Sequence, residues 1–121
     1  MPQISVDYSS GLAGSFDRRA LGLAINRLAV KTIDAKPEAC KTLFRASDDF
    51  VVGEAEEPAA QVYVEFQIFP GRTPEAKAAL SEGVLALLAE HVAPAAGTRL
   101  YTAVNISDID RESYRSTTAA G

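Results

Sequence analysis

The sequence contains one cysteine, Cys40, one histidine, His91, and no tryptophan. One cysteine cannot form an intramolecular disulfide, so we expect an intracellular, reducing environment. Since no second histidine or cysteine stands at ligand spacing, we expect no metal site. Basic residues are also scarce: 12 lysines and arginines against 16 aspartates and glutamates give a formal net charge of −4. This balance argues against binding to nucleic acid or to an anionic membrane surface.

Long apolar runs and nucleotide-binding motifs are absent as well. No stretch approaches the roughly 20 apolar residues that span a bilayer. The first residues lack the basic and apolar regions of a secretory signal, so we expect none. The glycines of residues 11–14 do not have the spacing of a dinucleotide-binding turn. We therefore expect a cytoplasmic protein of one domain, residues 1–121, that uses no cofactor and contacts no membrane.

Alternating apolar and polar residues are what the sequence does contain. This period-two pattern predicts strands over residues 3–8, 40–52, 62–68 and 100–106. The third is the clearest, because it combines strict alternation with β-branched and aromatic residues. Residues 108–121 are polar and predict a C-terminal arm outside the sheet.

Two segments between the strands have helical spacing. Asp17 is a candidate N-cap for a helix over 17–31, and Thr73 with Pro74 starts a helix that continues to about residue 93. The order is then β-α-β-β-α-β. Because crossovers are right-handed, each βαβ unit forms a parallel strand pair. We predict an α/β fold: a four-stranded mixed sheet with two helices on one face.

One face of this sheet has no helix to cover it. That face carries Leu43, Tyr63, Phe69 and Tyr101 among polar groups. A bare sheet face of mixed character usually finds a partner, so we expect a homo-oligomer. The alternative is a face that stays solvated, which mixed sheets tolerate.

Several features together resemble a known family. Pro2 directly follows Met1 and leads at once into the first strand, and Gly71-Arg72 closes the third strand. With the element order, the chain length and the segments 48–53 and 106–110, they resemble the tautomerase superfamily, and within it the 5-carboxymethyl-2-hydroxymuconate isomerases. The resemblance covers nearly the whole chain. It implies a homotrimer whose open sheet faces enclose a central barrel, with a catalytic pocket at each subunit boundary.

Pro2 is the candidate catalyst. Removal of Met1, which is normal before a small residue, would leave a secondary amine at the chain end. An apolar pocket and nearby cations would lower the pKa of this amine. A neutral amine near pH 7 can take a proton from one position of a substrate and return it at another. The structural alternative is that Pro2 simply begins an edge strand, where its missing N–H costs nothing.

Three basic residues are candidates for binding substrate carboxylates. Arg72 lies between a strand and a helix N-terminus, a good carboxylate site, and by resemblance it matches the substrate-binding arginine of the muconate isomerases. Lys41 stands where those isomerases carry an arginine, and it supplies charge without a bidentate fork. Arg45, four residues on, shares its strand face and is a candidate for the bidentate role. Either residue could instead form an intersubunit ion pair with the acidic residues 54–57.

Phe50, Tyr63 and Tyr101 are candidates for pocket walls that keep the amine neutral, with core or trimer packing as the alternative. Together with the resemblance, these residues predict a cofactor-independent isomerase of a small unsaturated 2-hydroxy or 2-oxo carboxylic acid. Two alternatives stay open. A decarboxylase or haloacrylate dehalogenase on the same scaffold needs an acidic residue to activate water, and Glu65 and Glu112 are available. A non-enzymatic trimeric interaction module would keep the fold alone.

Overall fold

A computed structural model describes residues 1–54 and 56–121. The order of the regular elements is β1 Gln3–Ser9, α1 Arg18–Ile33, β2 Lys41–Ser47, β3 Ala59–Ile68, α2 Pro74–His91 and β4 Arg99–Asp108. Short 3-10 turns at Ser10–Ser15 and Pro37–Ala39 precede α1 and β2. The predicted β-α-β-β-α-β order is confirmed. No helix in the described ranges combines the length and apolar character needed to cross a membrane.

The strands form one mixed sheet in the order β2-β1-β3-β4. β1 pairs in parallel with β2, and β3 pairs in parallel with β4, as the two crossover units require. The units join through an antiparallel pairing of the central strands β1 and β3. Gln3 lies opposite Lys41 on one side and Gln67 on the other, so the start of β1, the start of β2 and the end of β3 share one end of the sheet.

Both helices begin at the predicted capping residues. The Asp17 carboxylate accepts a hydrogen bond from the Ala20 backbone N–H at 3.1 Å, and α1 ends two residues later than expected. The Thr73 hydroxyl accepts one from the Ala76 backbone N–H, also at 3.1 Å. Pro74 follows at the first helical position, where a missing N–H costs nothing. Each cap satisfies a backbone donor that the first helical turn leaves free.

The second strand is shorter than predicted. We expected it over residues 40–52, but β2 ends at Ser47. Ser47 pairs with Ser9, the last residue of β1. After Ser9, the chain leaves the sheet and enters the 3-10 segment that begins at Ser10. Since β2 is an edge strand with β1 as its neighbour, residues 48–52 have no strand left to pair with. The strand ends where its partner ends.

The core lies between the sheet and the two helices. Its fully buried side chains alternate along β1 and β3 and recur at helical spacing in α1 and α2: Ile4, Val6, Val62, Val64, Phe66, Ile68, Leu21, Ile25, Leu80, Val84 and Leu88. Burying a side chain of this size contributes about 1.5–3 kcal/mol. The opposite face, which we call the open face, exposes Leu43 by 60%, Tyr63 by 42% and Tyr101 by 43%. The predicted division into a helix-covered face and an uncovered one is confirmed.

Candidate active site

Pro2, Lys41 and Arg72 lie at one end of the sheet, which we call the proline end. Pro2 directly precedes β1, Lys41 begins β2, and Arg72 follows β3. These positions converge because β2 runs parallel to β1 and β3 runs antiparallel to it. A proline, a lysine and an arginine that are distant in sequence therefore lie at the same end of the sheet.

Pro2 is buried and hydrogen-bonded to the first residue of β2. Its side chain is fully buried, and its carbonyl oxygen accepts a hydrogen bond from the Lys41 backbone N–H at 3.2 Å. Burial lowers the pKa of the amino group of Met1 below its ordinary value, and the positive charge of Lys41 lowers it further. The two influences expected to keep an amine neutral act one residue from the Pro2 nitrogen.

Cys40 is the other reactive side chain near the proline end. It is 7% exposed, and its thiol donates a hydrogen bond to the Lys36 carbonyl oxygen at 3.4 Å. Burial raises the pKa of the thiol, so the group stays protonated near neutral pH. These features fit a small buried side chain rather than an activated nucleophile.

Arg72 lies directly after a turn that requires glycine. Gly71 has a φ of 117°, which side-chain-bearing residues rarely adopt. The turn directs Arg72 toward the end of α1, where its Nη2 donates a hydrogen bond to the Ile33 carbonyl oxygen at 2.8 Å. This contact satisfies a free carbonyl of the last helical turn. A guanidinium has several further N–H donors, so Arg72 is anchored and can still bind an anion.

Lys41 is more loosely held than Arg72. Its Nζ donates to the Ala39 carbonyl oxygen at 3.3 Å, and the side chain is exposed. Among residues 1–54 and 56–121, neither Lys41 nor Arg72 forms an ion pair. The proline end therefore presents two cations whose charges no carboxylate of the described chain neutralises.

Arg45 is already engaged with an acidic partner. Its Nε and Nη2 donate to the two carboxylate oxygens of Asp7 at 2.8 and 3.0 Å, across the β1–β2 pairing. The hydrogen bond to Asp7 raises the pKa of Arg45. Four residues of strand also separate Arg45 from Lys41, a distance of about 13 Å. Asp7 was not among the residues predicted for the site, although the alternation of both strands places it on the open face beside Arg45.

Phe50 and Tyr101 lie at the opposite end of the sheet, which we call the aromatic end. Phe50, 37% exposed, lines a cavity of about 300 Å³ together with Tyr63, Tyr8, Ser9, Asp7, Ser47, Asp49 and Gln61. Tyr101 lies opposite Gln61 in the β3–β4 register, so it belongs to the same end. The seven steps along the strand from Pro2 to Ser9 span about 23 Å. Within one subunit, the candidate walls are thus far from the candidate base.

The two carboxylates considered for water activation lie in different settings. Glu65 accepts hydrogen bonds on the open face from Asn105 Nδ2 at 3.1 Å and from the Ser107 hydroxyl at 2.6 Å. Glu112 is exposed in the arm that follows β4. Glu65 therefore belongs to a hydrogen-bonded group that links β3 to β4, and these contacts give it a structural role.

Comparisons with known proteins identify the family to which the chain is similar. The sequence profile of a family described as 5-carboxymethyl-2-hydroxymuconate isomerase matches residues 2–119. No curated protein sequence matches the chain significantly.

Solved structures share the fold. A 5-carboxymethyl-2-hydroxymuconate isomerase from Deinococcus radiodurans R1 superposes with a TM-score of 0.80 at 20% identity, covering 98% of this chain and 90% of that one. A fused 4-OT protein solved as a symmetric trimer gives a TM-score of 0.68 at 25% identity, covering 88% and 85%. A macrophage migration inhibitory factor-like protein from Entamoeba histolytica gives 0.70 at 13% identity, covering 96% and 95%.

Proposed function

The chain belongs to the 5-carboxymethyl-2-hydroxymuconate isomerase family, and from this premise we propose that the amine of Pro2 is its acid–base catalyst. The proposed substrate is a small unsaturated 2-hydroxy or 2-oxo carboxylic acid, and the proposed reaction is a keto–enol or double-bond isomerisation without a cofactor. The observation that carries the proposal is the burial of Pro2 next to Lys41, at the end of the sheet that also holds Arg72, with neither cation paired to a carboxylate of the described chain.

The proposed reaction needs one group that first accepts a proton from the substrate and then donates a proton back to it. The neutral Pro2 amine removes the proton of the substrate's 2-hydroxyl group, and the electron pair moves through the conjugated system. The resulting ammonium then delivers a proton to carbon at the other end of that system, which restores the neutral amine. A pKa near the working pH serves both half-steps, and burial with a nearby lysine lowers an α-amino pKa in that direction.

Arg72 and Lys41 are proposed to bind the substrate carboxylate and to stabilise the dienolate that forms between the two proton transfers. Arg72 is the better-placed group, because its contact with the Ile33 carbonyl fixes the guanidinium while leaving N–H donors free. Lys41 adds positive charge at the start of β2. Charge that is already in position when the dienolate develops lowers the barrier without reorganisation.

We also propose that the working enzyme is a homotrimer. The candidate walls Phe50 and Tyr101 lie at the far end of the sheet from Pro2. A neighbouring subunit that brings its aromatic end to the proline end of the first would complete the site and dry the amine. Cys40, a single buried thiol, fits the cytoplasmic setting that we propose with this assembly.

Covalent labelling of the amine tests the central claim. Mature protein, with Met1 removal verified by mass spectrometry, is treated near neutral pH with an electrophilic 2-oxo acid such as 2-oxo-3-pentynoate. We expect one adduct on Pro2 and loss of enol ketonisation, because a neutral secondary amine is a good nucleophile. Cys40→Ala, which removes the other reactive group, should label equally well. An adduct on Cys40 alone, with Pro2 unmodified, would contradict the proposal.

A further inference from the structure

Three side chains form a cluster where the C-terminal arm folds back against the sheet. The guanidinium carbon of Arg111 lies 4.1 Å from the centroid of the Phe69 ring. The Tyr114 ring meets the same phenyl ring edge-on, with centroids 5.4 Å apart and an interplanar angle of 86°. Phe69 thus contacts an arginine over its face and a tyrosine whose ring is nearly perpendicular to its own.

Backbone hydrogen bonds fix the arm in this position. The Ile109 N–H donates to the Ile68 carbonyl oxygen at 2.8 Å, so the arm stays beside β3 beyond the end of β4. The backbone N–H groups of Ser113 and Tyr114 then donate to the Asp110 carbonyl oxygen at 3.2 and 3.1 Å. Arg111 therefore projects from a closed turn. Because the backbone of this turn is already ordered, binding a ligand there would cost little further backbone entropy.

The strand register places this cluster at the proline end. Gln3 pairs with Gln67 in the antiparallel β1–β3 ladder, and each step back along β1 corresponds to one step forward along β3. Continued by one residue, the register sets Pro2 opposite Ile68, directly before Phe69. The Arg111 guanidinium accordingly lies beyond the same strand ends as the Pro2 nitrogen.

The positive charge of Arg111 has no ion-pair partner within the described part of the chain. Asp108 pairs with Lys77 at 2.8 Å, and the Asp110 carboxylate accepts a hydrogen bond from the Glu112 backbone N–H at 3.1 Å. Glu112 itself is exposed on the same turn. Stacking on an aromatic face orients a guanidinium and leaves its N–H edge free for a planar anion.

We propose that Arg111 binds a second carboxylate of the substrate, distal to the one held by Arg72 and Lys41. The inference rests on the proposed function, because it assigns a role in recognising the acid that Pro2 isomerises. Arg111 then determines specificity: it favours unsaturated 2-hydroxy dicarboxylic acids over monocarboxylic acids of the same core. A charge-assisted contact of this kind is worth about 1.5–3 kcal/mol, which converts to roughly 10- to 150-fold in kcat/KM.

The test compares two enols that differ in one carboxylate. Ketonisation of 2-hydroxymuconate and of 2-hydroxypenta-2,4-dienoate is followed by ultraviolet absorbance for wild type and variants. We expect Arg111→Gln to lower kcat/KM for the dicarboxylate about 10- to 100-fold, mainly through KM, and to change the monocarboxylate less than about threefold. Arg111→Lys, which keeps the charge, should recover part of the loss. Arg27→Gln, the same charge change on the exposed side of α1, should change neither substrate.

The outcomes separate this inference from the proposed function. Equal losses on both acids, or no loss on either, would overturn the role of Arg111 while wild-type ketonisation still supported Pro2 chemistry. No ketonisation of either acid by wild type would overturn the proposed function and this inference with it. Phe69→Leu adds an independent check, because it removes the aromatic face and should lower the dicarboxylate preference without altering any charge.

Discussion

The two ends of the sheet are built for different tasks. At the proline end, a buried Pro2 adjoins Lys41, Arg72 lies at the same end of the sheet, and no carboxylate of the described chain pairs with either cation. At the aromatic end, the exposed rings of Phe50 and Tyr101 lie near a cavity. The proposed base and the proposed carboxylate-binding cations therefore lie at one end, and two of the proposed pocket walls lie at the other.

This difference favours a site that forms between subunits. About 23 Å of strand separates the two ends, far more than a small carboxylic acid can bridge. Folding one subunit cannot bring them together, because both are fixed to the same four-stranded sheet. Cyclic association of identical chains can, since it brings one end of each sheet to the other end of the next. The predictions below test this division, beginning with the largest expected effect.

Subunit mixing should restore activity that two variants lack separately. One variant carries an additional alanine before Pro2, which converts the amine into an amide; the other combines Phe50→Ala with Tyr101→Ala. We expect both to be nearly inactive alone. After unfolding and refolding together in equal amounts, about a quarter of the sites should combine an intact Pro2 with intact aromatic walls. Ketonisation rates measure the recovery. A mixture no more active than the mean of its parents would contradict a shared site.

Replacing Arg72 should weaken catalysis and, to a smaller extent, the fold. Arg72→Met keeps the apolar stem but removes the guanidinium, so we expect kcat/KM to fall about 10- to 100-fold. Loss of the hydrogen bond to the Ile33 carbonyl should lower the free energy of unfolding by about 1 kcal/mol. Steady-state kinetics and urea unfolding measure the two effects. Arg19→Met, on the exposed first turn of α1, is the matched control; a loss of stability without a loss of activity would show that Arg72 is purely structural.

Much of the fold follows from local patterns, and the exceptions depend on neighbours. β3 was predictable because alternate residues such as Val64 and Phe66 must be buried, and the caps Asp17 and Thr73 are locally encoded. The end of β2 was not, because Ser47 is its last residue only where β1 turns away. The pattern of residues 40–52 therefore does not show where β1, the neighbouring strand, ends.

The site shows the same division between local and non-local information. The position of Pro2 and the Gly71-Arg72 turn are readable from short motifs, and the structure places both residues at one end of the sheet. The Asp7–Arg45 pair and the stacking of Arg111 on Phe69 each join positions about 40 residues apart. Such contacts depend on strand register, which the packing of whole elements sets.

The charge of Lys41 should tune the pKa of the Pro2 amine. A positive neighbour disfavours the ammonium form, so Lys41→Met should raise the pKa of the amine. Because the neutral amine starts the reaction, kcat/KM rises with pH through this pKa, and the variant's midpoint should move to higher pH. Lys41→Arg keeps the charge and should leave the midpoint unchanged. Profiles of kcat/KM against pH measure it; an unmoved midpoint in Lys41→Met would show that burial alone tunes the amine.

The smallest effect should come from the Asp7–Arg45 ion pair beside the aromatic-end cavity. Both side chains are substantially exposed, so water screens the pair and it should contribute little to stability. A double-mutant cycle of Asp7→Asn and Arg45→Gln, measured by urea unfolding, should give a coupling energy close to zero. A clearly favourable coupling would instead indicate that a neighbouring subunit covers the pair and excludes water, because desolvation strengthens charge interactions. The cycle thus reports whether this part of the open face stays accessible to water in the proposed assembly.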